Sequence, residues 1–301
     1  MVSIFMATYN GEKYLEAQLE SIFNQTCQDF FLYVSDDYSS DSTMQILMKW
    51  KDLFPSKMNV TKRESNSGKP QITFLEMVVE HKTSSYYMFC DQDDVWFPDK
   101  VETSIKEIAE FEKQYGASTP ILLGTEYLLT DQNLVPFRKQ KRRIDYDTFS
   151  KANKLISYNI FTGCTVIFNR ALSEKITLIP DNCVLHDWLL AFVASSLGVA
   201  AMIPKPTLFY RQHSSNAVGS ELNRSLNYYI KRFRSIWSND YYHLANLFLQ
   251  YYSQYADLNK VNMITTYAKL PEISWLKKIQ AFFTYNYWAP GVIRKMYQLL
   301  R

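Results

Sequence analysis

No stretch of this chain approaches the roughly 18 consecutive apolar residues that a bilayer-spanning helix needs, which argues against a transmembrane protein. No G-x-G-x-x-G follows the first strand-like run, so the usual dinucleotide fingerprint is missing. G-x-x-x-x-G-K-[ST] is missing as well, which argues against a P-loop nucleotidase. The four cysteines, Cys27, Cys90, Cys164 and Cys183, form no C-x-x-C pair. Zinc-knuckle and dithiol redox chemistry are therefore excluded, and the thiols read as small core hydrophobes of a reducing compartment. Tyr9, Asn10 and Glu12 interrupt the first apolar run, so no export signal is expected and a cytoplasmic protein is.

What is present belongs to a folded protein. A hydrophobic fraction of 47% against 21% charged rules out disorder of the whole chain. Its 301 residues allow one large domain, or one domain with an appendage. Net charge is +3, unevenly placed: residues 222–301 hold 11 Lys and Arg against 3 Asp and Glu, a balance of +8. The body therefore carries −5. Aromatic residues also crowd the tail, 18 of its 80. A boundary near residue 220 is expected, with a body over 1–220 and a basic, aromatic helical region over 221–301.

The body reads as alternating strands and helices. Residues 1–6 (MVSIFM), 30–34 (FFLYV), 58–64 and 86–90 (YYMFC) have strand character. Residues 12–23, 43–54 and 72–81 carry apolar side chains at helical spacing. This rhythm predicts βαβ units, right-handed crossovers and a mainly parallel sheet. Ligands of open α/β sheets bind at the carboxyl ends of strands. The polar clusters ATYN, SDDYSSD and DQDD each follow a strand and would share that edge.

The acidic clusters carry the chemistry. Asp36 and Asp37 end the second strand, where a carboxylate can accept from a base N–H or a ribose hydroxyl. Capping of the next helix is the alternative, but Ser39, Ser40 and Asp41 can supply that. Asp91, Asp93 and Asp94 place three carboxylates in four positions, and their repulsion is relieved by a divalent cation. Oxygen ligands of this kind suit Mg2+ or Mn2+ held together with substrate phosphates. A turn plus a cap for the helix after Pro98 would account for Asp99 but not for three acids before Val95.

The order ATYN-G-x-x-Y-L, SDDYSSDST, DQDD-x-W resembles glycosyltransferase family 2, and FCDQDDVWFPDK resembles its rhamnosyltransferase-like subgroup. FTGCTVIFNR (161–170), HDWLL (186–190) and YRQHSSN (210–216) follow in the family's order, so the likeness spans about residues 1–220. It implies the GT-A fold, an α/β nucleotide-diphospho-sugar transferase architecture with a C-terminal helical extension. It also implies roles. Ala7 and Tyr9 would hold the base, Tyr9 by stacking, and Asp37, beside Asp36, would bond the base or ribose. Asp91 would serve the ribose or metal and Asp93 the metal, with Asp94 less defined. Asp187 would be the general base. Gly163, Cys164, His186 and Trp188 would border the acceptor. His186 stands where many members have Glu, and a histidine near a helix start needs no further role. His213 has two readings, metal or phosphate contact or a loop residue, and Arg211 two, diphosphate pairing or a surface ion pair.

This chemistry is coherent. A departing diphosphate must be neutralised, which a Lewis-acid cation does. The acceptor hydroxyl must lose a proton during attack, which a carboxylate within hydrogen-bond reach can take. One base and one metal suffice for direct displacement with inversion. The expected donor is dTDP-rhamnose, with UDP-glucose, UDP-galactose or an N-acetylhexosamine donor close behind. The acceptor would be a glycan hydroxyl in bacterial surface polysaccharide or capsule assembly. Transmembrane spans and Q-x-x-R-W, which mark the family's processive synthases, are absent, so single-residue transfer is expected. The competing classes are a non-catalytic glycan- or partner-binding module and a nucleotidyltransferase.

FRKQKRR (137–143) reads as a solvated loop or as a flap over the acceptor, where its charge would suit a lipid-pyrophosphate-linked glycan. In the tail, KRFRSIW and WLKKIQAFF set basic residues among aromatics. Such helices suit an anionic membrane surface, or else pack on the catalytic body or a second subunit. No nucleic-acid recognition motif accompanies the charge.

Overall fold

The computed structural model describes residues 1–138, 144–180, 184–213 and 240–300. Outside them lie the basic run 139–143, Cys183, Ser214–Asn216, the KRFRSIW segment and the expected boundary near residue 220.

The elements alternate as the apolar patterning predicts. β1 (Val2–Thr8), α1 (Leu15–Phe23), β2 (Phe30–Asp36), α2 (Thr43–Leu53), β3 (Met58–Lys62), α3 (Pro70–Glu80) and β4 (Tyr86–Cys90) form the first half. β5 (Val95–Trp96), α4 (Lys100–Tyr115), β6 (Ile121–Thr130), α5 (Tyr146–Phe149), α6 (Ala152–Leu155), β7 (Val166–Asn169), α7 (Arg170–Lys175), α8 (His186–Leu197) and β8 (Val199–Arg211) form the second. Among the described residues four helices follow: α9 (Asp240–Tyr251), α10 (Leu258–Ala268), α11 (Trp275–Tyr285) and α12 (Val292–Leu300). Apolar faces over residues 241–255 and 273–285 predict two of these helices, near α9 and α11, and α10 is an addition. None of the described helices is long and apolar enough to cross a membrane.

The strands form one sheet in the order β3-β2-β1-β4-β7-β6-β8-β5. Neighbours β3, β2, β1 and β4 run parallel, and so do β6 and β8. β7 is antiparallel to both β4 and β6, and β5 to β8. This reversal matters for the site. An antiparallel strand brings its beginning, not its end, to the edge where its parallel neighbours finish. The turn Gly163–Thr165 that opens β7 therefore meets the carboxyl end of β4.

Both faces of the central sheet are covered, which is why β1 and β4 are nearly continuous apolar runs and do not alternate with polar residues. Val2, Ile4 and Met6 face α1, α2 and α4. Phe5, Tyr87, Phe89 and Phe168 face α3, α6 and α8. The C-terminal helices join this second core: Leu244, Phe248, Ile264 and Phe282 are buried within it, and Phe248 meets Phe192 of α8 edge-on at 5.4 Å. Full burial of side chains this size contributes roughly 1.5–3 kcal/mol each. Packing on the body thus accounts for the inner faces of α9, α10 and α11.

Candidate active site

The loops after β1 and β2 are tied into one wall. Asn10 N–H donates to Ser39 Oγ (2.9 Å), and Ser40 N–H donates to Asn10 Oδ1 (2.9 Å). Gly11 N–H reaches Thr43 Oγ1 at 2.7 Å. Gln92, the unassigned residue of DQDD, clasps the first loop from the other side: Tyr9 N–H donates to its Oε1 (2.9 Å) and its Nε2 donates to Tyr9 O (3.0 Å). A Cβ on Gly11 would lie 2.3 Å from that Oε1, so a larger residue there would displace the Gln92 amide from its place against the loop. Tyr9 is left exposed at the rim, with Ala7 half-buried below it.

Asp36 and Asp37 divide their labour. Asp36 is fully buried and accepts from Thr8 Oγ1 (3.0 Å), Ser39 N–H (2.9 Å) and Ser39 Oγ (2.5 Å). Its geometry supports a brace for the loop and not the nucleotide contact expected from the sequence. Replacing Asp36 with alanine should cost about 3 kcal/mol of unfolding free energy, because buried partners lose their acceptor; denaturant titration checks this. Asp37 sits nearer the rim and accepts from Ser67 N–H (2.8 Å), Ser67 Oγ (3.0 Å) and Gly68 N–H (3.2 Å), with Arg63 Nε at 3.5 Å. It fixes residues 63–68 as a further wall of the same edge.

The DQDD turn follows β4. Asp93 Oδ2 lies 2.8 Å from His213 Nε2, which places an imidazole from beyond β8 against the second acid of the pair. Asp91, Asp94 and Cys164 each offer an atom within 4.8 Å of the others. Burial, then the Asp93 carboxylate, pushes the Asp91 carboxyl up to about 7. Asp94 is raised well above the carboxylate range for the same two reasons. One Asp94 oxygen accepts Arg211 N–H at 3.1 Å, and the other is buried without a partner. Burial also lifts the Cys164 thiol well above its ordinary value, which keeps it protonated and a poor ligand.

Concentrated negative charge, raised carboxyls and the orphaned Asp94 oxygen fit a divalent cation. Asp91 and Asp94 are the carboxylates whose atoms converge, with Asp93 and its partner His213 beside them, and oxygen groups of this kind suit Mn2+ or Mg2+.

Two neighbours of this cluster were not legible in the sequence. Tyr14, from the G-x-x-Y-L stretch, packs its ring against His213 (4.6 Å between ring centres), with the Arg211 guanidinium 4.6 Å away. Lys100 is fully buried behind the turn, its Nζ donating to Thr207 Oγ1 (3.1 Å), and burial lowers it to about 8. It supplies the buried counter-charge to the acidic cluster. Arg211 departs from expectation. It is buried, and its guanidinium donates to Asp93 O (2.7 Å) and Gln132 O (2.6 Å). Backbone carbonyls hold these two donors, so the side chain braces the DQDD turn from behind and is not a surface ion pair.

Asp187 lies in the first turn of α8, 8% exposed. Its Oδ1 accepts Trp188 N–H (2.6 Å) and Asn159 Nδ2 (3.2 Å), and its Oδ2 takes part in neither bond. Burial raises it to about 6, and the bonds from Trp188 and Gly163 oppose that rise. Its charge in turn helps raise Asp91, so the two carboxylates share one electrostatic environment.

Gly163 and Cys164 form the physical link. A Cβ on Gly163 would lie 2.8 Å from His186 Nε2 and 3.9 Å from the Asp187 Cβ, while Cys164 reaches Asp91 and Asp94. His186 stacks on Phe74 (4.3 Å) with both ring nitrogens sealed and unpartnered, and burial holds it neutral, down to about 3. Trp188, half-buried, donates its Nε1 to Leu155 O (2.5 Å) and anchors the start of α8.

Comparison with known proteins agrees with this picture. Residues 3–177 match the profile described as Glycosyl transferase family 2. A dTDP-rhamnosyl transferase, RfbG of Shigella flexneri, is 31% identical over 226 residues, 74% of this chain and 76% of that one. Among solved structures, TarS of S. aureus in complex with UDP is 19% identical, with a TM-score of 0.57 over 94% of this chain and 72% of its own. A mannosyltransferase from Pyrobaculum calidifontis, solved with GDP-Man and Mn2+, is 16% identical, with a TM-score of 0.54 over 98% of this chain and 86% of its own. At these identities the likeness to the two structures shows the fold alone, and it is the GT-A fold expected from the sequence.

Proposed function

Because the chain belongs to glycosyl transferase family 2 and is a glycosyltransferase, we propose that its cleft moves one sugar from a nucleoside diphosphate to a glycan hydroxyl, with inversion and with the help of a divalent cation. One observation supports the reading: Gly163 and Cys164 join the Asp91–Asp94 turn to Asp187, so a cluster of carboxylates and a separate, oriented carboxylate adjoin one another at the same turn. Ala7, Tyr9 and Asp37 bind the base and ribose at the rim. Asp91, Asp93 and His213 hold the cation, Mn2+ or Mg2+, which when bound offsets the charge of the diphosphate. Asp187 accepts the acceptor hydroxyl's proton as that oxygen attacks the anomeric carbon and the bond to the diphosphate breaks. Trp188 N–H and Asn159 keep the carboxylate oriented while this happens. Gly163 leaves room for the His186 ring, which packs against that turn beside Asp187.

A dTDP-deoxysugar, rhamnose first, is the donor this reading favours, supported by the likeness to a dTDP-rhamnosyl transferase. UDP-hexoses are the next to try. Assembly of a bacterial surface polysaccharide is the proposed setting. Product analysis tests the reaction. Incubation with dTDP-rhamnose or a UDP-sugar and an acceptor glycan should release the nucleoside diphosphate and give the inverted anomer by NMR. Release of pyrophosphate would identify a nucleotidyltransferase instead, and a retained anomer would remove the single-displacement mechanism.

A further inference from the structure

α11 has two apolar faces, and the core uses one. Ala281 and Phe282 point inward with the stem of Lys278, whereas Trp275, Leu276 and Phe283 are 59%, 74% and 73% exposed. Leu276 and Phe283, seven residues apart, lie on one outward stripe of the helix. α12 continues the surface. Its Gln298 binds the segment that joins the two helices, donating to Tyr287 O (3.0 Å) and accepting Ala289 N–H (2.9 Å), while Val292 and Met296 stand out into solvent. Phe283, Trp288, Val292, Lys295, Met296 and Leu299 line one shallow groove of about 340 Å³. Soluble surfaces rarely expose so many large apolar side chains together without a partner.

The charge around this face identifies the partner's chemistry. Lys277, Arg294 and Lys295 are exposed on the same two helices, and residues 273–301 hold five Lys and Arg with no Asp or Glu. A second copy of the chain, docked symmetrically, would set these cations against themselves. A surface of anionic headgroups over acyl chains satisfies both the apolar stripe and the basic flank.

The position of the face is also informative. Its supporting turn is held by Asn153 (Nδ2 to Tyr285 O, 2.8 Å), Lys154 (Nζ to Asn286 Oδ1, 2.7 Å) and Ser157 (Oγ to Tyr287 O, 2.8 Å). Two residues further on, Asn159 bonds Asp187. We propose that the outward faces of α11 and α12 dock this protein on an anionic lipid surface, with the Asp187 side of the cleft toward the headgroups. The orientation rests on the transferase reading; lipid binding itself does not.

Flotation of the full chain with phosphatidylcholine vesicles, with and without phosphatidylglycerol, tests this. Binding is expected on the anionic vesicles and should weaken with added salt. Phe283→Asp with Met296→Asp should abolish it, and Lys277→Gln with Lys295→Gln should weaken it at least roughly tenfold, both at unchanged melting temperature. All four positions are exposed and remote from the acid cluster, so turnover on a water-soluble acceptor should survive, which separates failure of docking from failure of the transferase reading. The proposal is overturned by absence of binding to anionic vesicles, by wild-type binding of the Asp pair, or by a dimer in light scattering that Phe283→Asp dissolves.

Discussion

Replacing Asp187 with asparagine should lower kcat by roughly 10²–10⁴, the range over which a positioned acid or base contributes, while donor binding stays unchanged. The substitution is conservative in every other respect. Asparagine keeps an oxygen where Oδ1 accepts from Trp188 N–H and Asn159, so the geometry of the first turn of α8 persists. What it loses is basicity. Burial raises the Asp187 carboxyl to about 6, so the wild-type base is ionised near neutrality and is lost as pH falls through that value. The rate should therefore drop about tenfold per pH unit below about 6, and the variant's residual rate should lack that limb.

Stability moves the other way. A carboxyl raised on folding costs stability at pH above its folded value, and the cost disappears as pH falls below its unfolded value. The asparagine variant should thus melt no lower than the wild type at pH 7 to 8. Pre-steady-state turnover, pH–rate profiles and thermal melts read these three effects separately. A variant with full activity would remove Asp187 from the mechanism.

Asp93→Ala is the second large effect. It removes the carboxylate that meets His213 and faces the accessible side of the acidic turn. The loss in kcat/KM should reach about 10³ or more, since a cation that neutralises a leaving diphosphate supplies several kcal/mol to the transition state. Chelation of divalent ions should cause a similar loss in the wild type, restored by Mn2+ or Mg2+. The fold should survive, and the change relieves repulsion. Repulsion from the Asp93 charge helps to raise the Asp91 and Asp94 carboxyls, so without it both should ionise at lower pH. Carbon-13 titration of the aspartate carboxyls distinguishes this from general unfolding.

Much of this was legible in the sequence because chain order and sheet topology cooperate. Strand-end polar clusters in a βαβ rhythm must share one edge, and that alone brings Tyr9, Asp37 and Asp91–Asp94 to the same side of the sheet. The composition of DQDD also pointed to a cation without its surroundings. The remainder depended on partners distant in sequence. Gln92 and Tyr9 are 83 positions apart, and Lys100 and Thr207 are 107 apart, so no local pattern announces either contact. Asp36 and Asp37 look alike as letters, yet the strand's alternation buries one under Ser39 and Thr8 and sets the other toward residues 63–68. Arg211 shows the same limit: two of its guanidinium donors are held by the backbone carbonyls of Asp93 and Gln132, contacts that no local pattern announces. The reversed β7 gives no signal of its own, but it is what carries Gly163 and Cys164 to the site.

The most direct test of the central claim is calorimetric titration of the purified chain with dTDP and with UDP, each with and without Mn2+. The account predicts binding of at least one diphosphate that depends on the metal and is lost in Asp93→Ala. Binding that is equally tight without metal and in Asp93→Ala would contradict a cation–diphosphate site on the Asp91–Asp94 turn.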